Sequence, residues 1–150
     1  MKRFFLPCFL AASVLTMNAC SDDDDPQPQN FDKHSYKFTV TAEGLGEDET
    51  AGFTIFGVTE NPQESTFWKV DGQVRNNEQS VRIDDFPSKR TYVIESTIPL
   101  INAGVDIGCQ NFDDTPIKFT FKAEVDGKVA KEDSQTIAGF GTQYNQDYKF

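Results

Sequence analysis

Any chemistry in this chain would have to come from carboxylates. It carries 24 Asp and Glu but a single histidine, His34, and three cysteines. Zinc is held by clusters of Cys and His, and beyond residue 20 only His34 and Cys109 remain. HExxH, CxxC and GxSxG are absent, and Gly44-Leu45-Gly46 lacks the strand–helix context of a nucleotide loop. A thiol nucleophile needs a nearby base, and His34 stands close to a stretch that reads as a tether. Adjacent acids occur at Asp84-Asp85, Asp113-Asp114 and Glu132-Asp133. Glycoside hydrolysis needs two carboxyls at a fixed separation, one with a raised pKa. Acids side by side on turns instead solvate their loop. No catalytic residue, metal site or cofactor is therefore expected, and the chain reads as non-enzymatic.

Binding is better served than catalysis. Trp68 stands beside a hairpin tip, where an exposed indole would make a stacking platform for a sugar or peptide. In a strand its neighbour Phe67 must point to the opposite face, so one of the two rings faces the core; an inward Trp68 is only packing. Tyr144 and Tyr148, amid Gln143, Asn145, Gln146 and Asp147, form a second polar-aromatic patch of the kind binding surfaces use.

The elements that would position these residues begin after a leader. Lys2 and Arg3 precede an apolar run from Phe4 to Met17, and Asn18-Ala19-Cys20 ends it. At a rise of about 1.5 Å per residue this run falls short of a hydrocarbon core roughly 30 Å thick, so residues 1–19 read as a cleaved signal peptide. A plain signal cut before Cys20 would place bulky Met17 where a small residue is preferred. Met17-Asn18-Ala19-Cys20 resembles the lipobox of bacterial lipoproteins; Met17 and Ala19 match that pattern and Asn18 departs from it. The resemblance implies a diacylglycerol on Cys20 and acylation of the new N-terminus, including a palmitate-type chain, and two or more chains suffice for stable anchoring. Plain secretion, with Cys20 unacylated or paired to Cys109, is the alternative. With Cys8 in the leader and Cys20 in lipid, no intrachain disulfide is expected at Cys109, which reads as a buried small hydrophobe.

Residues 20–30 continue as an acidic, proline-containing tether. Asp22, Asp23, Asp24 and Asp25 repel one another, and Pro26 and Pro28 block regular structure. An acidic run directly behind the acylated cysteine also resembles the export signal of Bacteroidota surface lipoproteins. That resemblance implies a Gram-negative outer-membrane location facing the cell surface. The net charge of −10, with both leader cations lost on cleavage, disfavours nucleic acid and anionic lipid.

Residues 31–150 suffice for one domain with one core. Their period is two. Tyr36, Phe38, Val40 and Ala42 alternate with polar residues, as do Ile117, Phe119, Phe121, Ala123 and Val125. Phe53 to Val58 is apolar on both sides and fits a central strand. Tyr92 to Ile98 is expected as a strand with Tyr92, Ile94 and Ile98 on one face. Asp71-Gly72 and Asp126-Gly127 signal type I′ hairpins; the shared string VDGxV at Val70 and Val125 is two uses of that turn. A return strand begins at Lys128 and Val129, and a short last strand uses Tyr148 and Phe150. Eleven of the 14 phenylalanines follow the leader, enough to fill the space between two sheets.

Seven or eight such strands predict an all-β fold, a two-layer immunoglobulin-like β-sandwich, with a lipocalin-like barrel as the alternative. The resemblance implies a lipid-anchored binding or accessory module with a glycan or protein ligand; the domain itself is expected to be monomeric. A small carboxylate-dependent glycan hydrolase and a structural component joined by strand addition are the other readings. A convergent buried acid pair would favour the first of these, an uncapped edge strand the second.

Overall fold

The computed structural model describes residues 31–46, 50–84, 86 and 89–150. The expected signal peptide, Cys20 and Asp22 to Asp25 fall on residues outside those described. Among those described there are ten strands and no helix. They are β1 (Tyr36–Glu43), β2 (Thr50–Val58), β3 (Trp68–Val70), β4 (Gln73–Arg75), β5 (Ser80–Ile83), β6 (Thr91–Ser96), β7 (Asn102–Gln110), β8 (Ile117–Val125), β9 (Lys128–Ile137) and β10 (Gln143–Lys149). One antiparallel sheet runs β4-β3-β6-β1-β8-β9 and the other β10-β7-β2-β5. The sheets remain separate and neither closes on itself, so the fold is a β-sandwich and not the alternative barrel.

Alternation builds it. In the β1–β8 ladder, Phe38 faces Ala123, Val40 faces Phe121 and Ala42 faces Phe119, all buried. The outward rows set Lys37 opposite Glu124 and Glu43 opposite Lys118. Each buried large side chain contributes about 1.5–3 kcal/mol relative to exposure. Rings form much of that core. Tyr36 and Phe121 each stack on Phe38, and Phe53, Phe86 and Tyr92 meet edge to face at centroid distances of 5.3–5.6 Å.

Both Asp-Gly turns are type I′, as their chemistry predicts, with positive φ at Asp71 and Gly72 and at Asp126 and Gly127. Each aspartate also locks its turn to a neighbouring strand segment by a reciprocal pair. Asp71 N–H donates to the Val93 carbonyl while its Oδ1 accepts the Val93 N–H; Asp126 does the same with Ser35. The repeated VDG string is thus one device used twice.

The strands number ten rather than the seven or eight expected, and individual strands depart from the sequence reading in three places. β6 ends at Ser96, and Ile98 is exposed rather than aligned with Tyr92 and Ile94. β10 spans Gln143–Lys149 rather than a short terminal segment. The periodicity reading also missed β7, an interior strand between β2 and β10, whose buried Ala103, Val105, Ile107 and Cys109 alternate with Gly104, Asp106 and Gly108. Two glycines and an aspartate on its outer side hide the strand signal that β-branched residues would give.

Candidate binding face

Trp68 is not a platform. It is 0% exposed, packs against Phe38 and Phe67, and donates its indole N–H to the Gln79 carbonyl at 3.2 Å. Phe67 is buried as well, against the expectation that one ring of the pair faces out. The reason is local: Phe67 precedes β3, so strand alternation does not govern it. Gly57 leaves room for both rings, since a Cβ there would stand 2.9 Å from Trp68 and 3.1 Å from Phe67.

Tyr144 and Tyr148 do not form a surface patch either. Four residues apart on β10, they share its inward side. Tyr148 stacks on Phe121 of the facing sheet at 4.3 Å, and Tyr144 lies 6.1 Å from Phe119. Their hydroxyls are 3.1 Å apart, and Tyr148 donates to Asp133 of β9 at 2.6 Å. This chain ties one edge of each sheet to the other. The Tyr148 hydrogen bond holds Asp133 below the usual carboxylate range, while burial and the same bond push the Tyr148 phenol far up.

Two members of the acid pairs hold local structure. Asp84 accepts Arg82 Nε on both oxygens, at 3.0 and 2.9 Å, and Asp113 accepts the Thr115 N–H. Glu132 and Asp133 point to opposite sides of β9, and Asp85 lies outside the described residues. His34 pairs with Asp126 at 2.7 Å, and Cys109 is buried on β7. Among the described residues no group of three or more His, Cys, Asp or Glu converges as a metal site would require.

A concave polar surface lies instead on the outer face of the four-stranded sheet. There β2 and β7 set Gly52 directly opposite Gly108. Without side chains the pair leaves a low floor, with the Asp84 carboxylate close over Gly52, and the flanking side chains rise around it as an open trough of about 450 Å³. Thr54, Arg82, Asp84 and Asp106 form its walls. Thr50 continues it into a smaller polar depression with Gln110, Gln143 and Asn145. Toward the opposite end, Phe56 lies over Gly104, where an added Cβ would stand 2.1 Å from the ring.

One electrostatic feature marks the face. Asp106 and Asp147 are register partners on β7 and β10. Partial desolvation, then the charge and hydrogen bond of Asp147, raise the Asp106 pKa, with Lys149 acting against them. Sequence reasoning assigned none of these residues to a site. The usable signal was the glycines: Gly in a strand interior often marks a close approach by a ligand or another backbone.

No protein-family model matches the chain, and no curated protein matches it. Three solved structures share its fold. A calcium-bound protein from Parabacteroides distasonis is 15% identical with a TM-score of 0.62, covering 83% of this chain and 98% of that one. A DUF4425 family protein from Bacteroides ovatus is 10% identical with a TM-score of 0.61, covering 79% and 95%. A domain of unknown function, DUF4425, from Bacteroides vulgatus is 10% identical with a TM-score of 0.65, covering 81% and 96%. At these identities the likeness establishes the fold.

Proposed function

We propose that this chain is a non-enzymatic binding module, lipid-anchored through Cys20 to a Gram-negative outer membrane and displayed at the cell surface by Asp22 to Asp25. Its glycan or protein ligand occupies the outer face of the four-stranded sheet. The observation that carries the reading is the glycine-floored trough walled by Thr54, Arg82, Asp84 and Asp106. A concave site with a few placed polar groups is what ligand recognition needs. Anchoring rests on the lipobox resemblance at Met17 to Cys20.

Two alternatives fare less well. A carboxylate-only glycan hydrolase needs its two acids roughly 5–9.5 Å apart, to admit the sugar and a water. Asp106 and Asp147 are register partners on adjacent strands, side by side rather than set on either side of a sugar. Assembly by strand addition has β9 in its favour, a ten-residue edge strand exposed along most of its length. However, β9 carries Lys128, Lys131 and Glu132 and a bulge opposite Ala123 and Glu124, features that blunt an edge against pairing.

The decisive variant is Gly108→Val. Its Cβ would lie 3.3 Å from Asn145 Oδ1, a polar tip that can move aside, so the strand persists while the trough fills. On a printed glycan array and against a panel of purified surface proteins, the parent should bind and G108V should lose that binding at an unchanged melting temperature. Equal binding by both proteins would remove the trough from the reading.

A further inference from the structure

We infer that Phe140 is a ring platform at the end of this trough, which makes the ligand of the face a neutral glycan long enough to pass from the glycine floor over the end of the sheet; the inference rests on the trough being the binding site.

Phe140 is 75% exposed, the highest value among the exposed large hydrophobics. It sits on the β9–β10 connection between Gly139 and Gly141, both at positive φ. The loop is held in place. Gly141 N–H donates to the Asn111 carbonyl at 2.8 Å, and Asn111 N–H donates to the Thr142 carbonyl at 2.9 Å. Asn111 itself is 0% exposed, with its side-chain amide donating to the carbonyls of Thr115 and Ile137. Phe112 supports the ring edge to face at 6.4 Å. An aromatic presented this way is ordered before a ligand arrives, so binding need not supply that ordering.

The surroundings select the ligand. Asn111 follows Gln110 and Thr142 precedes Gln143, so the Phe140 loop is fastened where the Thr50–Gln110–Gln143 row ends the trough. Amide side chains both donate and accept, as sugar hydroxyls do. The negative face of an aromatic ring suits the weakly positive C–H face of a pyranose. A peptide binding as a strand would seek unpaired backbone at a sheet edge, whereas backbone groups under the trough already serve the β2–β7 ladder. Asp113 and Asp114 beside Phe112, in an acidic chain, repel uronates and phosphorylated headgroups.

The test is affinity electrophoresis of the purified full chain in native gels cast with starch, xylan, mannan or mixed-linkage β-glucan, with polygalacturonate as the anionic comparison. At least one neutral polysaccharide should retard the parent, and polygalacturonate should not. Phe140→Ala should weaken the apparent affinity at least tenfold without lowering the melting temperature, and Phe140→Trp should keep it. Loss in G108V with full retardation of F140A would overturn the platform and spare the trough. Loss in F140A with full retardation of G108V would overturn the trough, and with it a ligand spanning both places. If no neutral polysaccharide retards the parent, the carbohydrate assignment is wrong.

Discussion

The Tyr148 hydroxyl stands between a carboxylate and a second phenol, and it joins the β10 edge of one sheet to the β9 edge of the other. A hydrogen bond to a charged acceptor contributes about 1.5–3 kcal/mol, and water access to Asp133 argues for less here. Tyr148→Phe should therefore destabilise the domain by about 1 kcal/mol in urea melts at pH 7, below the range for buried bonds of this kind. The pH dependence has a definite sign. Because Asp133 is held below its usual value, its contribution is present above the unfolded carboxylate pKa of about 3.9 and is lost as pH falls through the folded value. The stability gap between parent and Y148F should shrink on acidification. Asp106, whose pKa is raised, acts oppositely, but equally in both proteins, so it cancels from the difference. A gap that widened toward pH 3 would contradict the assigned bond. None of this was legible from Tyr144 and Tyr148 as residue types, because a tyrosine amid polar neighbours can turn its ring to either side of a strand.

At the scale of the element, β7 carries the most instructive disagreement. Its inward side is apolar and alternating, yet its outward glycines removed the pattern by which strands are read. One of those glycines is explained by what lies over it. Gly104 lies beneath the Phe56 ring, its register partner on β2, an arrangement in which an aromatic covers a strand glycine. Gly104→Ala should cost about 1–3 kcal/mol, since the ring must be displaced from a filled site. In a Phe56→Ala background the same change should be neutral or stabilising by about 0.5–1 kcal/mol, the ordinary preference for Ala over Gly in a strand. A double-mutant cycle by chemical denaturation measures the coupling, and additive effects would show that the ring does not hold that place. Strands read correctly from sequence, β1 and β8 above all, are those with large apolar residues inward and charged or hydroxyl residues outward. The two Asp-Gly turns were legible for a related reason: type I′ geometry requires positive φ at both positions, which few residue pairs accept.

For the whole molecule, the proposed anchor and export signal can be separated in one experiment on cells. Cys20→Ala should leave the protein unlipidated and move it out of the membrane fraction, because two acyl chains are the proposed attachment; retention after a high-salt wash would sink the anchor. Replacing Asp22, Asp23, Asp24 and Asp25 together by Ala should leave acylation and folding intact, since the core lies within residues 31–150. Protease added to intact cells should then spare the domain while lysed cells still yield a cleavable one. Equal cleavage of parent and variant on intact cells would reduce the aspartates to a linker. The sequence by itself determined an all-β fold, its two type I′ turns and the inward rows of its longest strands. These follow from local rules: period-two burial and the φ each turn residue tolerates. Only the tertiary structure decided that Trp68 is buried, that Tyr144 and Tyr148 join the sheets, and that Gly52 meets Gly108 beneath a polar wall. Each depends on the register between strands distant in the chain and on which sheet covers which face. A lone strand has two sides, and nothing within it names the one that will meet water.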